Sequence, residues 1–374
     1  MTAPDERASS VRQALESAGA HYMNLIEFGI IKIFIDFKIF DNIPLDGAIS
    51  IADLADKTGG QEQLLRRFAD YLVASEVLAA PSVDEVAHTA RSTSYRSTEL
   101  AANFITHVYQ FFLRPMSAWS SYFETHGLAE PSDARSIPLG LGTGHPDLDL
   151  YGVLDAEPGL ARLFNLAQER SAGIYSLKGV YDFAWMEEKL RSSQPGGGGG
   201  PTRLAIVDVG GGHGLALREI VADNPFIAPS RCAVFDLPKT VSAAREKAAA
   251  SGIHEGVGFH PGTMLEAFPT RVRGALVYLF RRVLSDFVDK DIVMALEQAR
   301  AAGAADTRIV LVEELVKPGR AKFAIAQDIS VMNFGGKRRS EAMWRELAAK
   351  AGLEVSGVHE DAKSEFAVLE LTPA

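Results

Sequence analysis

The feature that most constrains this 374-residue chain is a glycine-rich turn between an apolar run and a helical segment. The run Leu204–Val209 (LAIVDV) has the length and composition of a buried parallel strand. It leads into Asp208-Val-Gly-Gly-Gly-His-Gly214, and Leu215–Asp223 follows with helical character. Glycines let the backbone turn sharply and approach a ligand closely, and a helix N-terminus adds a positive dipole end. The turn therefore predicts a ligand-binding loop.

The same alternation of apolar runs and helical segments continues to the C-terminus. Further strands are predicted at Cys232–Leu237, Val257–His260, Gly274–Phe280, Arg308–Val316, Leu353–Val358 and Glu365–Leu371, the last two as an antiparallel pair. We expect helices to begin at caps formed by Asp289 and Ser340. Repeated strand–helix units with short connections predict an α/β fold with a doubly wound, Rossmann-like sheet and right-handed crossovers.

The first half of the chain has a different pattern, mostly helical with a small β element. Helical spacing runs through residues 10–40 and 60–77 and through Ala101–Phe123 and Asp155–Leu177. Short strands of a wing are predicted at Val77–Leu78 and Thr89–Tyr95, and we expect residues 1–190 to form one helical/winged-helix domain.

A run of five consecutive glycines in SSQPGGGGGP predicts a flexible segment over residues 191–201. This segment is interpreted as a boundary or an inserted loop, and it leaves residues 202–374 for the Rossmann-like domain.

Composition argues against several partners and sites. The net charge of −10 argues against a nucleic-acid partner, because binding to phosphates requires a basic face. A single cysteine, Cys232, excludes an intrachain disulfide and a cysteine-based zinc cluster, and no metal site is expected. No apolar run approaches the roughly 20 residues of a membrane span, so a cytoplasmic protein is expected.

The glycine turn lacks the dinucleotide fingerprint, because Leu215 occupies the place of its third glycine. Asp236 ends the next predicted strand, where a carboxylate can accept hydrogen bonds from both ribose hydroxyls of an adenosine. Glycine turns of this kind also occur for purely structural reasons. Loop, spacing and terminal acid together favour an adenosyl ligand.

Three segments in the second half resemble the plant- and fungal-type O-methyltransferases that use S-adenosylmethionine. They are VDVGGGHG around the turn, FDLP at Phe235–Pro238 and GGKRRS at Gly335–Ser340. In the first half, Ile51–Gly59 and Leu65–Leu78 resemble the winged-helix dimerisation domain of that family. The resemblance implies S-adenosylmethionine as cofactor, a homodimer formed through the N-terminal domain, and a small-molecule substrate.

The resemblance also implies which residues bind the cofactor. They are Asp208, Gly210, Gly211, Gly212, Gly214, Asp236, Leu237, Thr263, Met264 and Arg281. At one position the chain departs from the family, whose Gly-Asp-Met-Phe reads Gly262-Thr263-Met264-Leu265 here. Thr263 can still form a hydrogen bond, but it brings no charge.

The catalytic positions differ more strongly from the family pattern. The family's His-Asp-Trp, whose His acts as general base, reads Ser285-Asp286-Phe287 here. One of the two glutamates that flank that His is matched by Glu313, and the other is replaced by Arg338. Candidate catalytic residues are Ser285, Asp286, Glu313 and Arg338, with His107 or His126 as a displaced base.

This combination supports three hypotheses about function. The first is a homodimeric enzyme of secondary metabolism that holds S-adenosylmethionine without transferring its methyl group, similar to the leporin-type pericyclases, and acts on an apolar, polyketide- or alkaloid-like substrate. The second is a genuine O- or N-methyltransferase with an atypical base or an acceptor that needs none. The third is an inactive cofactor-binding partner subunit.

Overall fold

The computed structural model describes residues 3–171, 176–192, 203–251, 255–361 and 365–374. The chain divides into two compact units, Met1–Leu113 and Arg114–Ala374. Domain boundaries near residues 190 and 202 stay a prediction. Residues 193–201 of the glycine-rich segment lie outside the described residues.

The N-terminal unit is mostly helical and contains a small antiparallel sheet with strand order β1-β3-β2. Its elements are α1 (Ala3–Asp36), α2 (Ile39–Asn42), β1 (Ile49–Ser50), α3 (Ile51–Thr58), α4 (Glu62–Ala74), β2 (Leu78–Ser82), β3 (Glu85–His88), α5 (Ala90–Thr93), α6 (Leu100–Val108) and a π-helix (Tyr109–Leu113). Its core contains Phe34, Phe40, Leu54 and Leu72, all fully buried. The predicted small β element is therefore present, packed with helices.

The predicted second wing strand at Thr89–Tyr95 is wrong. The strands are β2 and β3, and the chain after them forms the short helix α5. Thr89 is the N-cap of α5, and its hydroxyl accepts hydrogen bonds from the backbone N–H groups of Arg91 and Ser92. A threonine suits a strand by propensity, but here its side chain stabilises a helix start instead.

The C-terminal unit begins with helices and then alternates strands and helices. Its elements are α7 (Arg114–Ser117), α8 (Trp119–His126), α9 (Pro138–Thr143), α10 (Leu150–Ala156), α11 (Pro158–Ser171), α12 (Met186–Ser192), β4 (Ile206–Val209), α13 (Leu215–Asp223), β5 (Cys232–Asp236), α14 (Pro238–Ser251), β6 (Gly258–Pro261), β7 (Val277–Arg281), α15 (Asp289–Ala302), β8 (Arg308–Glu314), α16 (Lys322–Val331), α17 (Glu341–Lys350), β9 (Leu353–Glu360) and β10 (Phe366–Pro373). Short 3₁₀ turns lie at Pro229–Arg231, Thr270–Val272, Leu284–Asp286 and Met332–Phe334.

In the described part of the chain, seven strands form one sheet with the order β6-β5-β4-β7-β8-β10-β9. The neighbours from β6 to β8 are parallel, and β10 is antiparallel to both β8 and β9. This topology confirms the predicted Rossmann-like α/β fold. The order reverses between β4 and β7, and in such sheets ligands bind at the carboxyl ends of the strands beside the reversal.

Two helix starts test the predicted caps. Ser340 caps α17, because its hydroxyl accepts a hydrogen bond from the backbone N–H of Met343 at 3.3 Å. Asp289 is not the cap of α15 but its first residue. The Asp289 carboxylate instead accepts hydrogen bonds from the guanidinium of the fully buried Arg339 at 2.6 and 3.0 Å. A buried guanidinium needs an acceptor, and this demand outweighs the local capping interaction.

None of the helices within the described residues combines the length and apolar character that crossing a bilayer requires.

The packing of α4 leads to a stability prediction. Leu72 is 0% exposed, whereas Leu64 on the same helix is 41% exposed. We expect Leu72→Ala to lower the free energy of unfolding of the N-terminal unit by about 2–5 kcal/mol, because it leaves a cavity. Leu64→Ala, the matched control, should cost well under half as much. Urea unfolding followed by circular dichroism measures both, and equal losses would contradict the described packing.

Candidate functional site

A cavity of about 710 Å³ lies at the carboxyl ends of β4, β5 and β7. Its walls are the glycine turn, the residues that follow β5 and β7, and the helices α10 and α11. Among the residues predicted to bind a cofactor, those that line the cavity are Asp208, Gly210, Gly211, Gly212, Asp236, Leu237 and Arg281. The cavity therefore brings most of that predicted set together at the reversal of the strand order.

The glycine turn depends on the absence of side chains. Gly210 and Gly212 have φ angles of +69° and +57°, a region that L side chains rarely adopt. Gly211 has no such angle, but a Cβ atom there would lie 2.4 Å from the carboxylate of Asp208. Gly214 lies outside the cavity lining and forms the N-cap of α13. The turn thus exposes backbone to the cavity and closes on a buried acid.

Asp236 ties the glycine turn to the end of β5. One carboxylate oxygen accepts a hydrogen bond from the Gly212 N–H at 2.8 Å, and the other accepts from the Leu237 N–H at 2.6 Å. Burial raises the pKa of Asp236, and these two hydrogen bonds oppose the shift. Each carboxylate oxygen can accept a further hydrogen bond, which leaves capacity for ligand hydroxyls.

Asp208 is a buried acid at the base of the same turn. Its side chain is almost fully buried, and one carboxylate oxygen has no hydrogen-bond partner among the described residues. Burial raises the pKa of Asp208 to about 7, with a contribution from Asp236, while the positive charge of Arg281 opposes the shift. The negative charge of an uncompensated carboxylate behind a cavity wall favours a ligand that brings positive charge to the cavity.

Arg281 ends β7 at the opposite side of the cavity. Its guanidinium donates to the Glu219 carboxylate on α13 at 3.0 Å. This ion pair connects α13, the helix after the glycine turn, with β7, the neighbour of β4 at the point where the strand order reverses. Arg281 therefore lines the cavity with most of its charge compensated.

Thr263 and Met264 do not line the cavity described above. The Thr263 hydroxyl accepts a hydrogen bond from the Leu265 N–H at 3.3 Å, and Met264 packs against the core of the large sheet. Their place after β6 is one strand further from the reversal, because β6 is an edge strand of the sheet. Their role in cofactor binding stays a prediction.

Ser285 and Glu313 form a buried hydrogen-bonded pair. The Ser285 hydroxyl donates to Glu313 at 2.6 Å, and the two residues are 1% and 0% exposed. The carbonyl of Ser285 accepts a hydrogen bond from Lys337 N–H, and a Cβ on Gly336 would collide with that carbonyl. Burial raises the pKa of Glu313, and the Ser285 hydrogen bond and the charge of Arg338 oppose the shift. Neither side chain lines the cavity.

Asp286, the next residue, does line the cavity. Burial raises the pKa of its carboxyl, and the charges of Arg338, Arg282 and Arg339 oppose the shift. Arg338 itself is paired with Glu314 on β8, with Nε 3.1 Å from the carboxylate. The 3₁₀ turn after β7 therefore directs one acid toward the cavity and holds its serine in the interior.

The two candidate histidines lie in different units. His107 on α6 belongs to the N-terminal unit and contacts the rings of Phe111 and Phe112. Burial lowers its pKa to about 4, and its Nδ1 has no hydrogen-bond partner among the described residues. His126 on α8 is exposed, stacks on Tyr122 and lies 3.2 Å from the Ser136 hydroxyl. His126 does not line the cavity.

Several cavity residues were missed by the sequence-based assignment. Those on α10 and α11 include Tyr151, Leu154, Phe164, Asn165, Gln168 and Glu169. Phe164 lies within Asp155–Leu177, where the spacing predicts a helix, but a helical period does not say whether the apolar face meets a core or a cavity. Arg282 also lines the cavity, with a φ of +56° that is uncommon for a residue other than glycine. Its position beside the family-like Ser285-Asp286 segment was the available signal.

These residues fit an adenosyl cofactor that carries positive charge. The turn glycines permit close approach, Asp236 retains acceptor capacity, and the negative charge of the buried Asp208 suits a ligand with positive charge. Apolar and aromatic side chains from α10 and α11 supply a surface for a flat ring.

Comparisons with known proteins agree with this geometry. Residues 202–354 match the O-methyltransferase domain, and residues 21–107 match the O-methyltransferase dimerisation domain. The protein named methyltransferase phm5, from Pyrenochaetopsis sp, is 60% identical over 361 residues, which cover 96% of this chain and 97% of that protein.

Solved structures extend the similarity at the level of fold. OxaC, solved in complex with sinefungin and meleagrin, matches with a TM-score of 0.81 at 20% identity. The match covers 99% of this chain and 92% of the OxaC chain. LepI, solved in complex with SAM, matches with a TM-score of 0.73 at 21% identity and covers 100% of this chain and 92% of its own. At these identities the likeness establishes the fold alone.

The environment of Asp208 predicts that cofactor affinity depends on pH. In the free protein its pKa is near 7, and a bound cation would lower it, so the cation must displace a proton at lower pH. We expect the affinity for S-adenosylmethionine to fall about tenfold from pH 8 to pH 6. Calorimetric titration across this range measures the change.

Asp208→Asn is the control for this titration. The amide cannot ionise, so the variant should bind more weakly at pH 8 and lose most of the pH dependence. If the affinity of Asp208→Asn depends on pH as strongly as that of the unmodified protein, another group causes the dependence. Asp236 and His213 are groups near the turn whose pKa values are also shifted.

Proposed function

Because the chain belongs to the family of S-adenosylmethionine-dependent O-methyltransferases, we propose that it methylates a small molecule whose acceptor atom needs no histidine base. When bound, S-adenosylmethionine supplies a methyl group activated by attachment to a positively charged sulfur. The relative from Pyrenochaetopsis sp bears the name methyltransferase, and its match extends over nearly the whole of both chains.

The observation that carries this proposal is that Ser285 is buried in the interior whereas Asp286 lines the cavity. The Ser285 hydroxyl is buried and donates to Glu313, so it is not available to an acceptor in the cavity. Asp286 lines the cavity and is the acid–base group that this turn presents there. A carboxylate accepts a hydrogen bond from an N–H or O–H group and thereby orients the acceptor.

A carboxylate is a weaker base than the imidazole that the family uses. Burial moves the pKa of Asp286 upward, but the charges of Arg338, Arg282 and Arg339 limit this change. Such a group assists a reaction whose acceptor is already nucleophilic, because little proton transfer is then required in the transition state. The acceptor classes that meet this condition are an amine nitrogen and an acidic hydroxyl or N–H group that ionises near neutral pH.

The displaced histidines are weaker candidates for the base. The pKa of His107 is lowered to about 4, which leaves a neutral imidazole with little affinity for a proton. His126 is exposed and lies beside Ser136 rather than in the cavity wall.

We further propose a homodimer formed through the N-terminal unit and an apolar, polyketide- or alkaloid-like substrate. The match of residues 21–107 to the dimerisation domain supports the first statement. Exposed apolar side chains on α1 and directly after it, including Leu25 and Phe37, are available for an interface. Aromatic side chains in the cavity wall, such as Tyr151 and Phe164, support the second statement.

Non-methylating pericyclic or cyclisation chemistry is the second candidate function. The residue at position 285 favours it, because a serine stands there in place of the histidine that acts as general base in the family. In this alternative the cavity orients a polarised substrate, and Asp286 and Arg282 supply the polar contacts. An inactive cofactor-binding subunit is the remaining interpretation of the same loss.

One experiment separates these functions. The purified protein is incubated with methyl-labelled S-adenosylmethionine and a panel of amines, acidic enols and phenols, and products are followed by mass spectrometry. Methylated product formed in step with S-adenosylhomocysteine supports the proposal. Product formed without S-adenosylhomocysteine would support cyclisation instead. Cofactor binding without turnover of any compound would point to the partner-subunit interpretation.

The geometry also predicts unequal effects for two neighbouring substitutions. Asp286→Asn removes the charge that faces the acceptor and should lower kcat/KM by about 10- to 100-fold, which corresponds to the loss of one hydrogen bond to a charged group. Ser285→Ala removes only a buried hydroxyl and should lower kcat/KM less than about tenfold. Steady-state kinetics, with the acceptor that the labelling experiment identifies, measures kcat/KM for both variants. A total loss of turnover in Ser285→Ala with Asp286→Asn still active would contradict the proposed roles.

A further inference from the structure

Tyr151 on α10 brings an unpartnered hydroxyl to the cavity wall. The side chain lines the cavity, and its hydroxyl forms no hydrogen bond with another described residue. Described side-chain atoms that are both unpartnered and sealed from solvent include one oxygen of Asp208 and Nδ1 of His107, but not the Tyr151 hydroxyl. A ligand in the cavity can therefore reach this hydroxyl. A reachable polar group without a protein partner is where a pocket orients its ligand.

The position of the Tyr151 ring is fixed by its helix and by one aromatic neighbour. Asp149 caps α10, and its carboxylate accepts a hydrogen bond from the Gly152 N–H at 2.7 Å. The centroid of the Tyr151 ring lies 6.0 Å from that of Phe287, at an interplanar angle of 32°. Phe287 directly follows Asp286, which lines the same cavity. The phenol is therefore held beside the turn that presents Asp286.

The Tyr151 phenol stays protonated at physiological pH. Burial raises the pKa of Tyr151, and the negative charges of Asp286, Asp236 and Asp149 raise it further. Of these acids, Asp286 contributes most, which indicates that the phenol lies closer to the proposed acceptor site than to the acid after β5. A protonated phenol among carboxylates acts as a hydrogen-bond donor.

Tyr151 and Asp286 thus offer opposite hydrogen-bonding groups in one part of the cavity wall. The carboxylate accepts from an N–H or O–H group, and the phenol needs a lone pair as its partner. The lone pair of the acceptor atom itself is required for the methyl group. A carbonyl oxygen next to the acceptor atom satisfies the phenol without using that lone pair.

We propose that Tyr151 is a substrate-binding residue, and that the substrate presents a carbonyl oxygen beside the N–H or O–H group that the protein methylates. The carbonyl accepts a hydrogen bond from Tyr151, while the N–H or O–H group donates to Asp286. Conjugation with a carbonyl makes this proton easier to lose, and a hydrogen bond to the carbonyl oxygen strengthens the effect. The role of Asp286 rests on the proposed methyl transfer, but the predicted binding is measurable without turnover.

The experiment uses isothermal titration calorimetry on the full-length protein, saturated with S-adenosylhomocysteine, near pH 7. One probe is carbostyril, a neutral bicyclic lactam with an N–H group beside its carbonyl. The other is β-naphthol, a bicycle of the same size with an O–H group and no carbonyl. Tyr151→Phe should weaken carbostyril binding about five- to tenfold, the loss of one hydrogen bond, and change β-naphthol binding less than about twofold. Equal losses for the two probes, or undiminished carbostyril binding, overturn the proposal.

A second titration separates a substrate contact from a cofactor contact. Tyr151→Phe should bind S-adenosylhomocysteine alone within about twofold of the unmodified protein. A loss as large as that for carbostyril would assign the hydroxyl to the cofactor and overturn the proposal. If the carbostyril result is as expected but the labelling experiment yields no methylated product, the binding role of Tyr151 stands and the proposed function fails.

Tyr181→Phe is the matched control, because the Tyr181 hydroxyl donates to Glu370 at 2.5 Å and Tyr181 does not line this cavity. This variant should keep both probe affinities and should lower Tm, since it loses a hydrogen bond within the protein. Tyr151→Phe removes a hydroxyl that has no partner among the described residues, so its Tm should not fall. A lower Tm in Tyr151→Phe with unchanged carbostyril affinity would show a structural role instead.

Discussion

The hydrogen bonds that Asp236 accepts from Gly212 and Leu237 fix one wall of the cavity. The bond from Gly212 joins the turn after β4 to the end of β5, and the bond from the adjacent Leu237 orients the carboxylate. The bonds require that residue 212 adopt a positive φ so that its N–H points toward the acid. Once this connection is made, the turn cannot move independently of the sheet, and the reacting groups on neighbouring strands acquire fixed positions relative to it.

The acids around this connection differ in what compensates their charge. Asp236 receives backbone N–H groups, Glu313 receives the Ser285 hydroxyl, and one oxygen of Asp208 receives no partner among the described residues. Buried carboxylates without compensation hold protons more tightly, which is why the pKa of Asp208 rises to about 7. Asp208 is thus the least compensated of these three acids, whereas hydrogen bonds from the protein hold Asp236 and Glu313.

The fold, and the predicted residues that line the cavity, could be recognised from local patterns. A buried strand, a glycine turn and a helix occur within 20 residues of one another, so the pattern Leu204–Asp223 is visible without tertiary information. The wing strand at Thr89–Tyr95 was misassigned because the same threonine suits a strand and a helix cap. Asp289 was misassigned as a cap because its carboxylate accepts hydrogen bonds from Arg339, fifty residues later. Such competition between a local and a distant partner is not visible in a window of sequence.

The sequence by itself determined that a Rossmann-like sheet carries a glycine turn followed by an acid at the next strand, because strand period, glycine placement and chain order are local properties. It also determined that serine and arginine stand where the family has histidine and glutamate. Only the tertiary structure decided that Ser285 is buried against Glu313 while Asp286 lines the cavity, and that helices α10 and α11 form its wall. The reason is physical: neighbouring residues on a turn point in different directions, and which of them meets a cavity depends on the elements packed around it.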